Sequence, residues 1–593
     1  MRGAKGRMLT LFLGAAALLL LAAQACAGAE PTATPTPTPT PRPAATATPT
    51  PTLAPGAPTP TIRVVLVATP TPTPTTPPVA AKPSGTLKYA MDTISSALPL
   101  EHFTGDSAVR IYMGGTVFEW LLHTDMEGKI VPGLATKWET KDGTYWDLTI
   151  RKGVTFPSGR EMTAKDVAGS IMAWKEHGKG SFGNHMRRVI DRAEVLDPNT
   201  VRMFLKDPDF LWFFTISRAN YRNPWTIDME YLDQVGIDKF REQPVGTGPF
   251  RVVEKVAGDH VTLRVRDDVA KSGHWRVNPV YWEQIQAYKV QEESTRIAML
   301  KTAKLDLIDI AVGLKDQVAG LPQVRNEGVS GAAIGLCCIS DKEDSIFNDI
   351  RVRKALNLAV DMDTVAKTVF KGELTPQAVF IFTKDMWGFD PSLTPYPYNV
   401  EEAKKLAKEA GFPPPGYKMT MYLRTDAPGF PDLPAAGEAI GTYWKRNLGV
   451  DVQFQPIEYA RLSAMFAWDS TTRKMQAPGL WNNTWTPRAT TIPNPSEVFN
   501  TAFGCKDIFG ASHTSRLTCG EVDNWMLQYP QSPDPAVRDE LARKVQKWYH
   551  EQWIPVPIGV TNQIFVSGPK VATYSPQPGF SYGDNFEYVV PKR

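Results

Sequence analysis

From Pro31 to about Lys82 the chain is built almost wholly of Pro, Thr and Ala, and no packed structure can begin there. Proline fixes φ and removes a backbone donor, so it interrupts helices and ladders alike. Nothing apolar recurs at a helical or strand period. The one interruption, IRVVLV at Ile62 to Val67, is too short to fold alone. Such a tract favours extended polyproline II, and roughly 50 residues rising about 3.1 Å each reach about 150 Å when stretched. It reads as a spacer, and Thr/Pro tracts of this kind are also sites of O-glycosylation.

The residues before the tract say what is being spaced from what. Arg2, Lys5 and Arg7 precede an apolar run from Met8 to Ala23. That run falls short of the roughly 20 residues of a spanning helix. A basic start, a short apolar stretch and small residues after it make a secretory signal. Two endings fit. One is plain cleavage after Ala23-Gln24-Ala25, which leaves Cys26 without a role. The other is a bacterial lipobox that ends in Cys26, with Ala23 where Leu is usual. We expect the second, with residues 1–25 a signal peptide and 26–83 a lipid-anchor cysteine and tether. A diacylglyceryl group supplies the two chains that stable anchoring needs.

The cargo runs from about Gly85 to Arg593. Its length exceeds one hydrophobic core, because cores stop growing near ~250–300 residues. The formal net charge is only +3 with both signs interspersed, so nothing points to nucleic acid. After Cys26, four cysteines remain: Cys337, Cys338, Cys505 and Cys519. An exported chain permits disulfides. Cys505 and Cys519 enclose a short Gly/Ser/Thr-rich loop, and a bridge between them is expected. Closing such a loop is worth about 3 kcal/mol before strain. For the adjacent Cys337 and Cys338 two readings stand, a strained bond between neighbours or, as we expect, two buried apolar residues or free thiols.

Catalytic and metal-binding patterns are missing. The eight histidines, from His102 to His550, form no H-E-x-x-H motif, and no C-x-x-C exists. Lys179 to Gly183 lacks the first glycine of G-x-S-x-G. Gly246 to Phe250, GTGPF, is a turn between strands rather than a phosphate cradle, since Pro249 would cut a following helix. We expect no enzyme, no metal and no cofactor.

The segments that follow carry local structure. TKWET (Thr136 to Thr140) and YWDLTI (Tyr145 to Ile150) are strands about a turn at Lys141-Asp142-Gly143. Thr163 then caps a helix whose first turn holds Asp166. The run Leu134, Ala135, Trp138, Asp142, Gly143, Arg151, Lys152, Gly153, Val154, Phe156, Gly159, Thr163, Ala164, Asp166 and Val167 resembles the family 5 extracytoplasmic solute-binding proteins of peptide and nickel ABC importers. The resemblance continues in order. It takes in PVGTGPFRV (Pro244 to Val252), STRIAMLKTAKLDLIDI with Ala303-Lys304 where Gly is common, and FNDIRVRKALNLAVDMDTV, in which Asp349 and Asp361 bracket an amphipathic pattern. It ends with a helix capped by Asn399 and Gly411.

The resemblance implies an α/β, two-lobed periplasmic-binding-protein fold (type II, cluster C) with an extra subdomain in the first lobe. Lobe I would span 84–335 with 556–593 returning to it, and lobe II 336–555. The function implied is that of an ABC-importer receptor, a monomer that closes on a solute and delivers it to a membrane permease. Peptide-binding relatives place an Asp where Thr491 stands here, to pair with the ligand's α-amino group. No carboxylate lies between Asp469 and Glu497. Trp481, Asn482, Asn483 and Trp485 offer flat apolar faces and neutral amides, and Arg488 suits a carboxylate. Tyr112, Met113 and Trp387 match segments that approach the ligand in relatives. Against cleft lining stands plain core packing for the Trp residues. Two other functions stay open at this point: a surface chemosensory receptor of the same fold, and a secreted hydrolase.

Overall fold

Strand Thr86–Met91 alternates its side chains between two hydrophobic cores. Leu87, Tyr89 and Met91 face one core, and Ala90 faces the other. A strand covered on both faces needs apolar residues at nearly every position, as parallel strands do. The computed structural model describes residues 82–91, 115–126, 128–178, 180–218, 225–256, 258–271, 280–334, 346–379, 386–425, 432–458, 520–554, 556–576 and 585–592. It also describes 382, 384, 461, 468–469, 474–475, 481–482, 496 and 499.

Thr86–Met91 lies inside an eight-stranded sheet. It pairs in parallel with Gln284–Lys289 and Leu307–Ile310. Beyond Gln284–Lys289 come His260–Val265 and Phe250–Val256, both antiparallel. On the other side, Val556–Ser567 pairs antiparallel with Leu307–Ile310 and with Gln323–Ile334. A separate four-stranded antiparallel sheet takes the order Ala135–Glu139, Tyr145–Ile150, Thr200–Leu205, Ile190–Asp197. Helix Ala164–His177 packs on it. The third sheet is parallel, with Lys418–Arg424 between Asp451–Ile457 and Trp481–Asn482, and helix Leu433–Leu448 connects its first two strands.

Local signals in the sequence account for most of these elements. The first hairpin forms about Lys141-Asp142-Gly143, although its first strand starts at Ala135, one residue before the pattern predicts. The Asp166 carboxylate accepts from the Thr163 N–H at 2.9 Å and the Thr163 hydroxyl at 3.1 Å, closing the first turn of its helix. Arg160 then ties Asp166 to Asp228 at 2.6 and 2.5 Å, which fixes this subdomain to the segment before Met229. Asp349, Asp361 and Asn399 each accept an amide at the start of a helix. That last helix ends with Ala410 as its cap, and Gly411 follows in the left-handed region. Gly248 in GTGPF is a packing requirement: a Cβ there would lie 2.1 Å from the Thr116 carbonyl oxygen.

The chain leaves the large sheet along Gln323–Ile334 and comes back along Val556–Ser567. The two strands form one long antiparallel ribbon, with register shifts between Asn326 and Ser330 and between Ala332 and Ala333. Gly559 sits in it at φ 150°, and a Cβ there would lie 2.4 Å from the Thr375 carbonyl oxygen. Gly559→Ala should therefore cost at least about 2 kcal/mol, read as a lower thermal midpoint. Ala303 shows the opposite case. It holds φ 54° where the resembled family commonly has glycine. The left-handed region costs a non-glycine residue about 1–2 kcal/mol, and glycine's extra chain entropy returns about 0.5–1 of that. Ala303→Gly should stabilise by about 0.5–1 kcal/mol, a rise in the same thermal midpoint.

Candidate functional site

Because Thr86–Met91 runs parallel to both its neighbours, Met91, Lys289 and Ile310 end along one edge of the large sheet. In the three-stranded sheet, Arg424 is level with Ile457, and Asn482 pairs with Tyr422 on the other side. Arg424, Ile457 and Asn482 thus mark a second carboxyl edge. Ligands of α/β sheets sit in the crevice outside the carboxyl ends of their strands. Here two such edges are brought together.

The join is made by carboxylates and backbone amides. Asp432, just before helix Leu433–Leu448 of the three-stranded sheet, accepts from Val312 N–H at 2.9 Å and Gly313 N–H at 3.1 Å. Those amides open the 3-10 turn that follows strand Leu307–Ile310. The amide before them, Ala311 N–H, donates to Glu293 at 2.7 Å. Three consecutive N–H groups at one carboxyl edge are therefore satisfied by two acids, one of which comes from the other sheet. Burial pushes the Asp432 carboxyl up to about 6, although both amides favour its charged form. Burial likewise raises Glu293 to about 7. Arg296 and the Ala311 amide oppose that rise, and Asp432 and Asp309 add to it.

A second tie lies beside the ribbon. Glu373 meets Lys315 at 2.7 Å, Arg325 at 3.1 Å and the Asn562 amide at 2.9 Å. Burial alone would raise its carboxyl, but the hydrogen bonds from Lys315 and Asn562 and the two cations outweigh that and hold it low.

The structure brings some of the sequence-predicted residues to this region. Trp481 and Asn482 form the outer strand of the three-stranded sheet, against Met421 and Tyr422. Trp387 is half-buried and meets Phe214 edge-on at 4.9 Å. It belongs to the core shared by the four-stranded sheet and one face of the large sheet. Tyr112, Met113, Asn483, Trp485, Arg488, Thr491, Cys26, Cys337, Cys338, Cys505 and Cys519 lie outside the described residues. Glu293 and Asp432 were not singled out from sequence. Asp432-Leu433-Pro434 does carry a helix-start signal, an Asp with proline just inside the helix. Its bonds to residues over a hundred positions away carry no sequence signature.

A concavity of about 890 Å³ lies elsewhere, lined by Arg160, Asp228, Glu230, Arg251, Arg266 and Asp268 among others. Arg160 is held by Asp166, Asp228 and Glu230, and Arg266 by Asp268. Among the described residues no group of three or more His, Cys, Asp or Glu could hold a metal ion. No helix among them is long and apolar enough to cross a membrane.

Opposed carboxyl edges joined through one ribbon, with a further antiparallel subdomain, define the two-lobed type II periplasmic-binding-protein fold of cluster C. Comparison with known proteins agrees. DppA from Helicobacter pylori, solved in complex with peptide STSA, superposes with a TM-score of 0.71 at 21% identity, covering 86% of this chain and 99% of that one. The binding protein AgaA from A.tumefacien R10, solved with agropinic acid, gives 0.70 at 20% identity, covering 86% and 98%. The glutathione-binding protein GsiB of Shigella flexneri serotype 5b is 23% identical over 527 residues, which are 83% of this chain and 92% of that protein. Residues 129–510 match the family model described as bacterial extracellular solute-binding proteins, family 5 Middle. The chain belongs to that family. It is an extracytoplasmic solute-binding receptor of an ABC importer, and not an enzyme.

Proposed function

We propose that this receptor takes a neutral or anionic small solute into the crevice, in preference to an unmodified free-amine peptide. The observation that carries the reading is one of charge. Between Asp469 and Glu497 the chain holds Arg473, Lys474 and Arg488 and no carboxylate. Trp481 and Asn482 lie within this stretch, at the carboxyl edge of the three-stranded sheet. A buried ammonium without a counter-ion costs several kcal/mol, and Thr491 stands where peptide receptors keep an Asp. Trp481 and Trp485 supply stacking faces, Asn482 and Asn483 neutral hydrogen bonds, and Arg488 a partner for an anionic group. Tyr112, Met113, Trp387 and Thr491 complete the proposed lining. The relatives named above bind glutathione, a peptide and agropinic acid, so the fold itself does not restrict the ligand to peptides.

The two lobes take residues 84–335 with 556–593, and 336–555, and close on the solute by hinge motion. The receptor works as a monomer, held at the cell membrane by lipid on Cys26 and lifted from it by the Pro/Thr tether. A bridge between Cys505 and Cys519 pins the loop between them.

Mass spectrometry of solute released from the purified protein should identify a neutral or anionic compound. Calorimetry with that compound should show a loss of roughly thirtyfold in affinity for Trp481→Ala or Trp485→Ala, equivalent to about 2 kcal/mol. Di- and tripeptides with free amines should bind weakly or not at all. Sub-micromolar binding of such a peptide would overturn the ligand class.

For the anchor, labelled fatty acid should enter the wild-type protein and not Cys26→Ser. Equal labelling of both would exclude lipidation at that position.

A further inference from the structure

Strand Val556–Ser567 changes character where it passes the edge of the large sheet. Its pairing with Leu307–Ile310 ends at Ile564 with Ile310. Gln563 is therefore the first residue of the ribbon beyond that carboxyl edge. On the same strand, pairing with Leu374–Thr375 begins only at Thr561. Across the ribbon Gln563 is level with Asn326, and the next pair is Thr561 with Ser330. Three residues of one strand thus stand against one of the other. Bulges of this kind gather next to functional sites, where they re-aim side chains.

Alternation along the strand fixes the faces. Ile564 and Val566 point into one core and Phe565 into the other, so Gln563 shares the face of Phe565. Asn562, on the opposite face, donates to Glu373. Asp309 stands across from Phe565 and is buried, as is Asn326. A face that is apolar at Leu307 and Phe565 ends at the crevice in three buried polar side chains. Asp309 and Asn326 are engaged by other groups. Gln563 is 2% exposed, and among the described residues neither its Oε1 nor its Nε2 has a hydrogen-bond partner. Burying an amide with neither bond made is costly. An apolar side chain of the same length would fill the position without that cost.

We propose that Gln563 is a solute-contact residue on the ribbon side of the crevice, and that the solute presents to it an acceptor and a donor on neighbouring atoms, as an amide does. This rests on the crevice as the solute site and adds a specificity-determining group from the ribbon. A carboxamide suits the task, since its Oε1 accepts while its Nε2 donates. It carries no charge, so it selects for a neutral part of the solute. A site built to hydrogen-bond a polar group rejects analogues lacking it far more strongly than an apolar pocket rejects a missing methylene.

Gln563→Met tests this, because methionine nearly matches glutamine in length and has no amide. Two quantities are measured on the full mature chain. The thermal midpoint of the solute-free protein should rise by about 1–3 °C. By calorimetry, affinity for the compound released from the wild-type protein and identified by mass spectrometry should fall about tenfold or more. An amide bonded within the fold or to buried water gives the reverse, a lower midpoint with affinity unchanged. A lower midpoint, or affinity within about twofold of wild type, overturns the proposal. Gln563→Glu is the second variant: it keeps the shape, and when ionised it only accepts. Relative to wild type it should bind weakly at pH 8 and recover at pH 5, where the buried carboxyl carries its proton. An equal deficit at both pH values overturns the donor–acceptor pairing. The identity of the released compound reports on the ligand class separately. A free-amine peptide that loses affinity in Gln563→Met would overturn that class and leave the role of Gln563 standing.

Discussion

Every passage of the described chain between the large sheet and the three-stranded sheet runs along one antiparallel ribbon, Gln323–Ile334 against Val556–Ser567. That ribbon is also built into the large sheet through Leu307–Ile310. Backbone hydrogen bonds in a buried ladder must be kept, because an unpaired buried amide is costly. In the closure proposed above, the two bodies would move by twist and bend along the ribbon, where the register shifts twice. Gly559, pressed against Thr375, shows how closely the short strand Leu374–Thr375 is bound to it.

The crevice follows from this constraint. Parallel strands need both faces covered, so they sit in the interior and finish together at one edge. Two such edges meet here, and Asp432 spans them. Its charge is costly in that place, yet the amides of Val312 and Gly313 would be equally costly without it. The junction therefore balances two desolvation penalties. A receptor needs such near-balance, since its solute must supply the difference between open and shut with modest binding energy.

Much of the framework was legible in the sequence because it rests on short-range chemistry. The Thr163–Asp166 helix start, the Asp-Gly hairpin, the Asn399 cap and the Gly411 end each depend on residues within a few positions of one another. The order of these segments was enough to indicate the family. The joints were not legible. Asp432 contacts residues 120 and 119 positions away, and the ribbon pairs strands over two hundred positions apart, so neither has a local pattern. Trp387 shows why site residues are harder than elements. An aromatic side chain serves packing and binding equally well, and the edge-on contact of half-buried Trp387 with Phe214 is compatible with both. Residue type alone could not tell these roles apart.

The central claim is that solute binding draws two lobes together about the ribbon. Small-angle X-ray scattering tests it most directly, comparing the protein stripped of its co-purified solute with the same sample reloaded, at one pH. The account predicts a smaller radius of gyration and a narrower distance distribution on reloading. Identical scattering with and without a saturating solute would contradict it.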